Sequence, residues 1–159
     1  MDGGRAGPGR VARLWVKRAH RGAMDARESI ELVAGRGVEG SADRGARRQV
    51  TLFEREVWEA LMRELASDAG PETRRANVLV SGIDLQASRG RVLRLGGTRV
   101  RIGGELKPCE RMEEAVAGLE ALMYPEWKGG AFGQILDGGI VSVGDVVEWE
   151  GDLVSRSTS

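Results

Sequence analysis

Arg91-Val92-Leu93-Arg94-Leu95-Gly96-Gly97-Thr98-Arg99-Val100-Arg101-Ile102 is the stretch whose reading decides the fold class. In its second arm Arg99 and Arg101 alternate with Val100 and Ile102, the period of a strand with one buried face. The Gly96-Gly97 pair suits a two-residue reverse turn, so Arg91–Leu95 and Thr98–Ile102 read as an antiparallel hairpin. The same grammar extends in both directions. Strands are expected at Val11–Val16, Ser29–Val33 (ended by Ala34-Gly35) and Gln49–Phe53. Three more, Phe132–Leu136, Ile140–Val143 and Val146–Glu150, are joined by the glycine turns Asp137-Gly138-Gly139 and Gly144-Asp145. Two segments carry helical period instead. Glu54–Ala66 sets Val57, Trp58, Leu61 and Leu65 on one face before Gly70-Pro71, and Glu110–Met123 does the same with Met112, Val116, Leu119 and Met123. Many short strands, two principal helices and no regular β–α alternation predict a mainly β, antiparallel barrel with helices attached.

The chain has 159 residues, enough for one domain. Met1–Arg10 and Gly151–Ser159 read as flexible tails around a barrel domain over 11–150. Basic and acidic residues number 24 each, which argues against a partner held through bulk charge, nucleic acid or membrane surface. No apolar run approaches a membrane span and no signal peptide is visible, so a cytoplasmic domain is expected. A single cysteine excludes an internal disulfide, a Cys₄ zinc site and a Cys-x-x-Cys pair. Only Lys17, Lys107 and Lys128 are lysine; the other 21 basic residues are arginine, a bias that codon usage accounts for.

Gly35-Arg36-Gly37-Val38-Glu39-Gly40 spells G-x-G-x-x-G, but Ser41-Ala42-Asp43-Arg44-Gly45 is turn composition where a dinucleotide site requires a helix. It reads as a glycine-rich loop. His20 is the only histidine, so a multi-histidine metal site is excluded and a His-activated nucleophile would have to use it. Cys109 stands in Lys107-Pro108-Cys109-Glu110-Arg111, after a strand and at the start of the second helix. Helix N–H groups with Lys107 and Arg111 nearby favour a reactive thiol or a soft-metal ligand; a lone buried cysteine serving as a small hydrophobe is the other reading. Arg47-Arg48 and Arg74-Arg75 each abut a strand and suit phosphate, or else are solvated turn residues. Asn77 at a strand start offers an amide that can read a heterocycle edge.

These residues together resemble the MOSC family, named for the C-terminal domain of molybdenum cofactor sulfurases, over about Val11–Glu150. The resemblance is carried in order by Gly37-Val38-Glu39-Gly40, Arg48-Gln49-Val50-Thr51-Leu52, Arg75-Ala76-Asn77-Val78-Leu79-Val80 with Gly82-Ile83-Asp84-Leu85, Pro108-Cys109, and Gly138-Gly139 through Val143-Gly144-Asp145. It implies a small stand-alone, bacterial-type β-barrel that binds the molybdenum cofactor (molybdopterin). It implies that Cys109 carries a persulfide or ligates molybdenum, that Arg75 and Asn77 face the pterin and its phosphate, and that Arg48 is a further contact. After Gly40, Ser41-Ala42-Asp43 departs from the family's acidic-then-basic pattern, with Asp43 as the stand-in. The implied activities are sulfur transfer or molybdenum-dependent reduction of a small substrate. Pyridoxal phosphate chemistry would come from a separate desulfurase partner, and reduction would need an electron-donor protein, because no flavin, haem or iron–sulfur motif is present. The competing expectation is a non-catalytic barrel for a small phosphorylated ligand, with Cys109 structural. Thiol exposure separates the two.

Overall fold

A computed structural model describes residues 8–42 and 45–151. Among the described residues the chain forms β1 (Gly9–Lys17), β2 (Met24–Arg27), β3 (Ser29–Val33), β4 (Gly37–Val38) and β5 (Val50–Glu54), then the helix α1 (Arg55–Glu64). A 3₁₀ turn, Pro71–Arg74, leads into β6 (Val78–Ser81) and the hairpin β7 (Val92–Leu95) and β8 (Thr98–Glu105). Helices α2 (Glu110–Ala115) and α3 (Leu119–Met123) follow, then β9 (Ala131–Asp137), β10 (Gly139–Ser142) and β11 (Val146–Trp149).

Seven strands close a barrel in the order β1-β11-β7-β8-β9-β5-β6, and β6 returns to β1. The deciding hairpin is present, with Leu95 opposite Thr98 and Leu93 opposite Val100. Gly96 sits at φ 59, which favours a residue without Cβ. Every pairing is antiparallel except β5–β6, which makes the barrel mixed. That parallel pair needs a crossover, and α1 with the 3₁₀ turn provides it. β2 adds to the outside of β1, and β10-β3-β4 forms a small second sheet. No helix begins at Gly40; the G-x-G-x-x-G run contains β4 and turns. No helix among the described residues is long and apolar enough to cross a membrane.

Strand alternation produces two cores. Leu14, Val16, Val50, Leu52, Val78 and Val80 point into the barrel, where Ile30, Leu32, Val38 and Val141 of the small sheet join them. The alternate positions Trp15, Phe53 and Leu79 point outward and meet Trp58, Leu61 and Met62 of α1 and Met112, Leu119 and Met123 of α2 and α3. Phe53 stacks 6.2 Å from Trp15 and edge-on to Trp58 at 6.1 Å. Each such buried side chain contributes about 1.5–3 kcal/mol, so strands buried on both faces hold the helical layer as firmly as the barrel.

Two expectations need adjusting. Glu110–Met123 is not one helix: Val116 is extended (φ −142) and Gly118 left-handed (φ 88). The Glu113 carboxylate draws the chain round there, accepting from Gly118 N at 2.8 Å and Glu120 N at 3.3 Å. The first strand begins at Gly9 rather than Val11, with Gly9 paired to Val147 and Arg10 to Val146. A Cβ at Gly9 would lie 2.6 Å from the Ser81 carbonyl oxygen, so glycine is required for that approach. The remainder of the expected tails, residues 1–7 and 152–159, lies outside the described residues.

Glu54, at the β5–α1 junction, accepts from Leu85 N at 3.0 Å and ties the 82–88 loop to the barrel. Burial pushes its carboxyl up to about 7, opposed by the Leu85 N–H and assisted by Asp84 and Glu56. A carboxyl with a raised folded-state value binds more protons folded than unfolded. Stability therefore falls as pH rises from the unfolded carboxyl range to about 7, and the loss is complete above it. After allowance for solvent screening this amounts to on the order of 1–2 kcal/mol. Glu54→Gln should flatten that slope and raise stability at pH 8, as read by urea unfolding across pH 4.5–8; an unchanged slope would contradict the assignment.

Candidate functional site

The ends of β1 and β8 and the starts of β5 and β6 meet at one mouth of the barrel, where a cleft of about 280 Å³ opens. Arg48, Arg75, Asn77 and Cys109, singled out from the sequence, all line it. Asp43 lies outside the described residues. His20 is an exposed turn residue that does not line the cleft.

Cys109 is exposed and caps α2 with extended backbone (φ −133, ψ −178). Buried Pro108 fixes the approach, and Met112 N donates to the Cys109 carbonyl at 2.9 Å. The helix behind it has only six residues, under two turns, so its dipole is much weaker than a fourteen-residue helix would provide. Two side-chain cations, Lys107 and Arg111, line the same cleft.

Arg74 is the structural hub. Its guanidinium is buried, with Nε donating to Gly129 O at 2.9 Å and Nη2 to Leu106 O at 2.9 Å and Lys107 O at 3.5 Å. It thus clamps the chain entering Pro108-Cys109 to the run leading into β9. Burial pulls its pKa down to about 10, with Cys109 raising and Arg48 lowering it, so the group stays charged at neutral pH. Arg75, next in sequence, turns left-handed (φ 62, ψ 40), a conformation that an L-residue adopts at a cost of about 1 kcal/mol or more. The reversal puts consecutive arginines to different uses, one in the wall and one half-buried along the cleft.

The Asn77 amide is engaged on every side. Oδ1 accepts from Thr51 N at 3.2 Å and Thr51 Oγ1 at 3.1 Å, while Nδ2 donates to Trp15 O at 3.2 Å and Ser41 Oγ at 3.4 Å. Asn77 ties β5, β1 and the loop after β4 together, so its contribution in this geometry is to hold the wall. Ser41 Oγ also accepts from Lys17 N at 3.0 Å. Arg48 is exposed and stacks over the Phe132 ring at 5.1 Å. Its loop is anchored by buried Gln49, whose Nε2 donates to Ala46 O and whose Oε1 accepts from Ile135 N.

Sequence reasoning had assigned no role to Lys17, Ser41, Gln49 or Thr51. One signal for Lys17 was present: of only three lysines in an arginine-dominated chain, Lys17 and Lys107 both line this cleft. Among the described residues that line it there are six cationic side chains and no carboxylate, with a thiol at the rim. Such a donor set suits an anionic ligand carrying a soft metal or an electrophilic sulfur.

A family model described as "MOSC domain" matches residues 38–148. No curated protein matches the sequence. Among solved structures the chain is similar to the YUAD protein from Bacillus subtilis, with 18% identity, a TM-score of 0.74, and 89% of this chain and 94% of that chain covered. It is also similar to YiiM from Geobacillus stearothermophilus (12% identity, TM-score 0.72, 89% and 75% covered) and YiiM from Escherichia coli (18%, 0.67, 88% and 69%). At such identities the structural likenesses speak to the fold. With the family model spanning well over half of the sequence, and the Arg-Asn and Pro-Cys segments converging on one mouth of the barrel, the chain belongs to the MOSC domain family.

Proposed function

We propose that the cleft holds the molybdenum cofactor and that Cys109 is its protein sulfur ligand. The observation that carries this reading is an exposed thiol at the rim of a cleft lined by cations without a carboxylate among the described residues. A pterin phosphate is an anion, which Arg75 and Lys17 would hold by charge-assisted hydrogen bonds. Asn77, Ser41 and Thr51 keep the wall at fixed spacing, and Arg74 fixes the loop that presents Cys109. The bound group supplies two-electron redox chemistry at molybdenum; this chain's residues bind, orient and charge-balance it. Reduction of a small substrate would draw electrons from a donor protein. The protein acts in the cytoplasm, where a thiol stays reduced.

The exposure of Cys109 also supports a second reading, sulfur carriage. A desulfurase persulfide would be attacked at its terminal sulfur by the Cys109 thiolate. A new S–S bond forms, the donor's S–S bond breaks, and the donor cysteine leaves as thiolate, with no net redox change. The pyridoxal phosphate stays on the desulfurase. The competing structural role for Cys109 loses its main support, because a packing cysteine is buried.

The test uses full-length protein from a molybdate-supplied host. Oxidised-pterin fluorescence should reveal bound pterin in the wild type, and Arg75→Ala should reduce it about tenfold, the worth of one charge-assisted hydrogen bond. A wild-type protein without pterin would overturn the cofactor reading. Labelling of Cys109 by a desulfurase and cysteine in pterin-free protein would then leave sulfur carriage standing.

A further inference from the structure

Beside the Cys109 cleft, and sharing Arg48 and Lys107 with it, lies a second concavity of about 420 Å³. Its cations come from three separate parts of the chain. Arg47 and Arg48 precede β5, Arg89 precedes β7, and Lys107 follows β8. One carboxylate, Glu105, faces them. Two other arginines of the surface are neutralised: Arg18 pairs with Asp25 at 2.6 Å, and Arg99 with Asp137 at 2.6 Å and Glu150 at 3.0 Å. Among the described residues, none of the four cations here forms an ion pair. Like charges brought together without counter-charge repel, and a bound anion relieves that repulsion.

The floor is built around the Phe132 ring. The β8–β9 register shifts between Ile102 and Gly104, a bulge that places two glycines side by side. A Cβ on Gly103 would lie 2.8 Å from Phe132 Cε1, and one on Gly104 would lie 3.1 Å from Phe132 Cζ and 3.5 Å from Arg89 Nη2. Phe132 in turn carries the guanidinium groups of Arg47 at 5.9 Å and Arg48 at 5.1 Å, which restrains both. Four cations against one carboxylate exceed what a single carboxylate ligand neutralises, and guanidinium forks match phosphoryl oxygens.

We propose that this annex is an anion subsite for the phosphoryl or diphosphoryl end of a small molecule. Binding of that anion does not depend on the role given to Cys109. Its consequence for substrate class rests on the function proposed above, since the molecule's other end would then lie at Cys109.

Inorganic pyrophosphate is the probe, titrated calorimetrically into the full-length chain at low salt. Pyrophosphate can enter both cavities, so two saturable components are expected; the annex component is the one weakened about tenfold by Arg89→Ala and by Arg47→Ala. It should change less than about threefold in Arg75→Ala and in Cys109→Ser, which alter only the neighbouring cleft. Thermal unfolding verifies that each variant is folded, and Arg89→Gln replaces any that is not. Absence of saturable binding overturns the proposal, as does an Arg89 variant indistinguishable from wild type. If Arg75→Ala alone abolishes binding, the anion sits in the Cys109 cleft; the annex is then refuted while the cofactor reading stands.

Discussion

Arg74→Met should lower the melting temperature by about 5–15 °C and abolish ligand retention in the cleft. Methionine fills much of the volume, so the loss is not a cavity effect. The guanidinium satisfies the carbonyls of Gly129 and Leu106 at 2.9 Å and reaches that of Lys107 at 3.5 Å. Removing it strands acceptors in a dry setting, at about 1–3 kcal/mol for each one left without a donor. Release of the arginine's own desolvation penalty offsets part of this, leaving about 2–4 kcal/mol. Packing around the clamp is tight: a Cβ on Gly129 would lie 2.3 Å from Leu106 O and 3.2 Å from Arg74 Nη2. Arg74→Lys keeps the charge but not the fork, and should recover less than half of the stability. A shift under about 2 °C for the methionine variant would mean that the clamp contributes little. The functional loss follows from geometry, because the clamped segment is the one that presents Cys109.

The barrel was legible where alternation and glycine turns coincide, as at Arg91–Ile102. It was illegible where pairing alone makes a strand. Met24-Asp25-Ala26-Arg27 has no fully buried residue and becomes β2 because Lys17, Val16, Trp15 and Leu14 lie opposite it. Alternation also carries no direction, so the parallel β5–β6 pair could be seen only from the crossover that separates them. The broken second helix had a visible cause in Gly118, but the Glu113 carboxylate that secures the break is a tertiary detail. Local chemistry marks Cys109 and Arg75 in the sequence, and both line the cleft. For Lys17 the sequence offers only the rarity of lysine, since β1 comes to the cleft through pairing with β6, some sixty residues away. Asn77 was seen as a reader of ligand, whereas its amide is committed to Thr51, Trp15 and Ser41. An amide's availability depends on partners that spacing does not reveal.

Cys109→Ser carries the other large effect. Serine is nearly isosteric, and at an exposed position the substitution should change stability by no more than about 0.5 kcal/mol. A hydroxyl is a harder and far less acidic donor than a thiol, so metal affinity should fall by orders of magnitude. The most direct measurement is the molybdenum-to-protein ratio of wild type and Cys109→Ser, purified in parallel from a molybdate-supplied host, with melting temperature recorded on the same samples. The account predicts molybdenum with the wild type, at least about a tenfold loss in the variant, and melting temperatures within about 2 °C of each other. A variant that retains molybdenum at the wild-type ratio would contradict it.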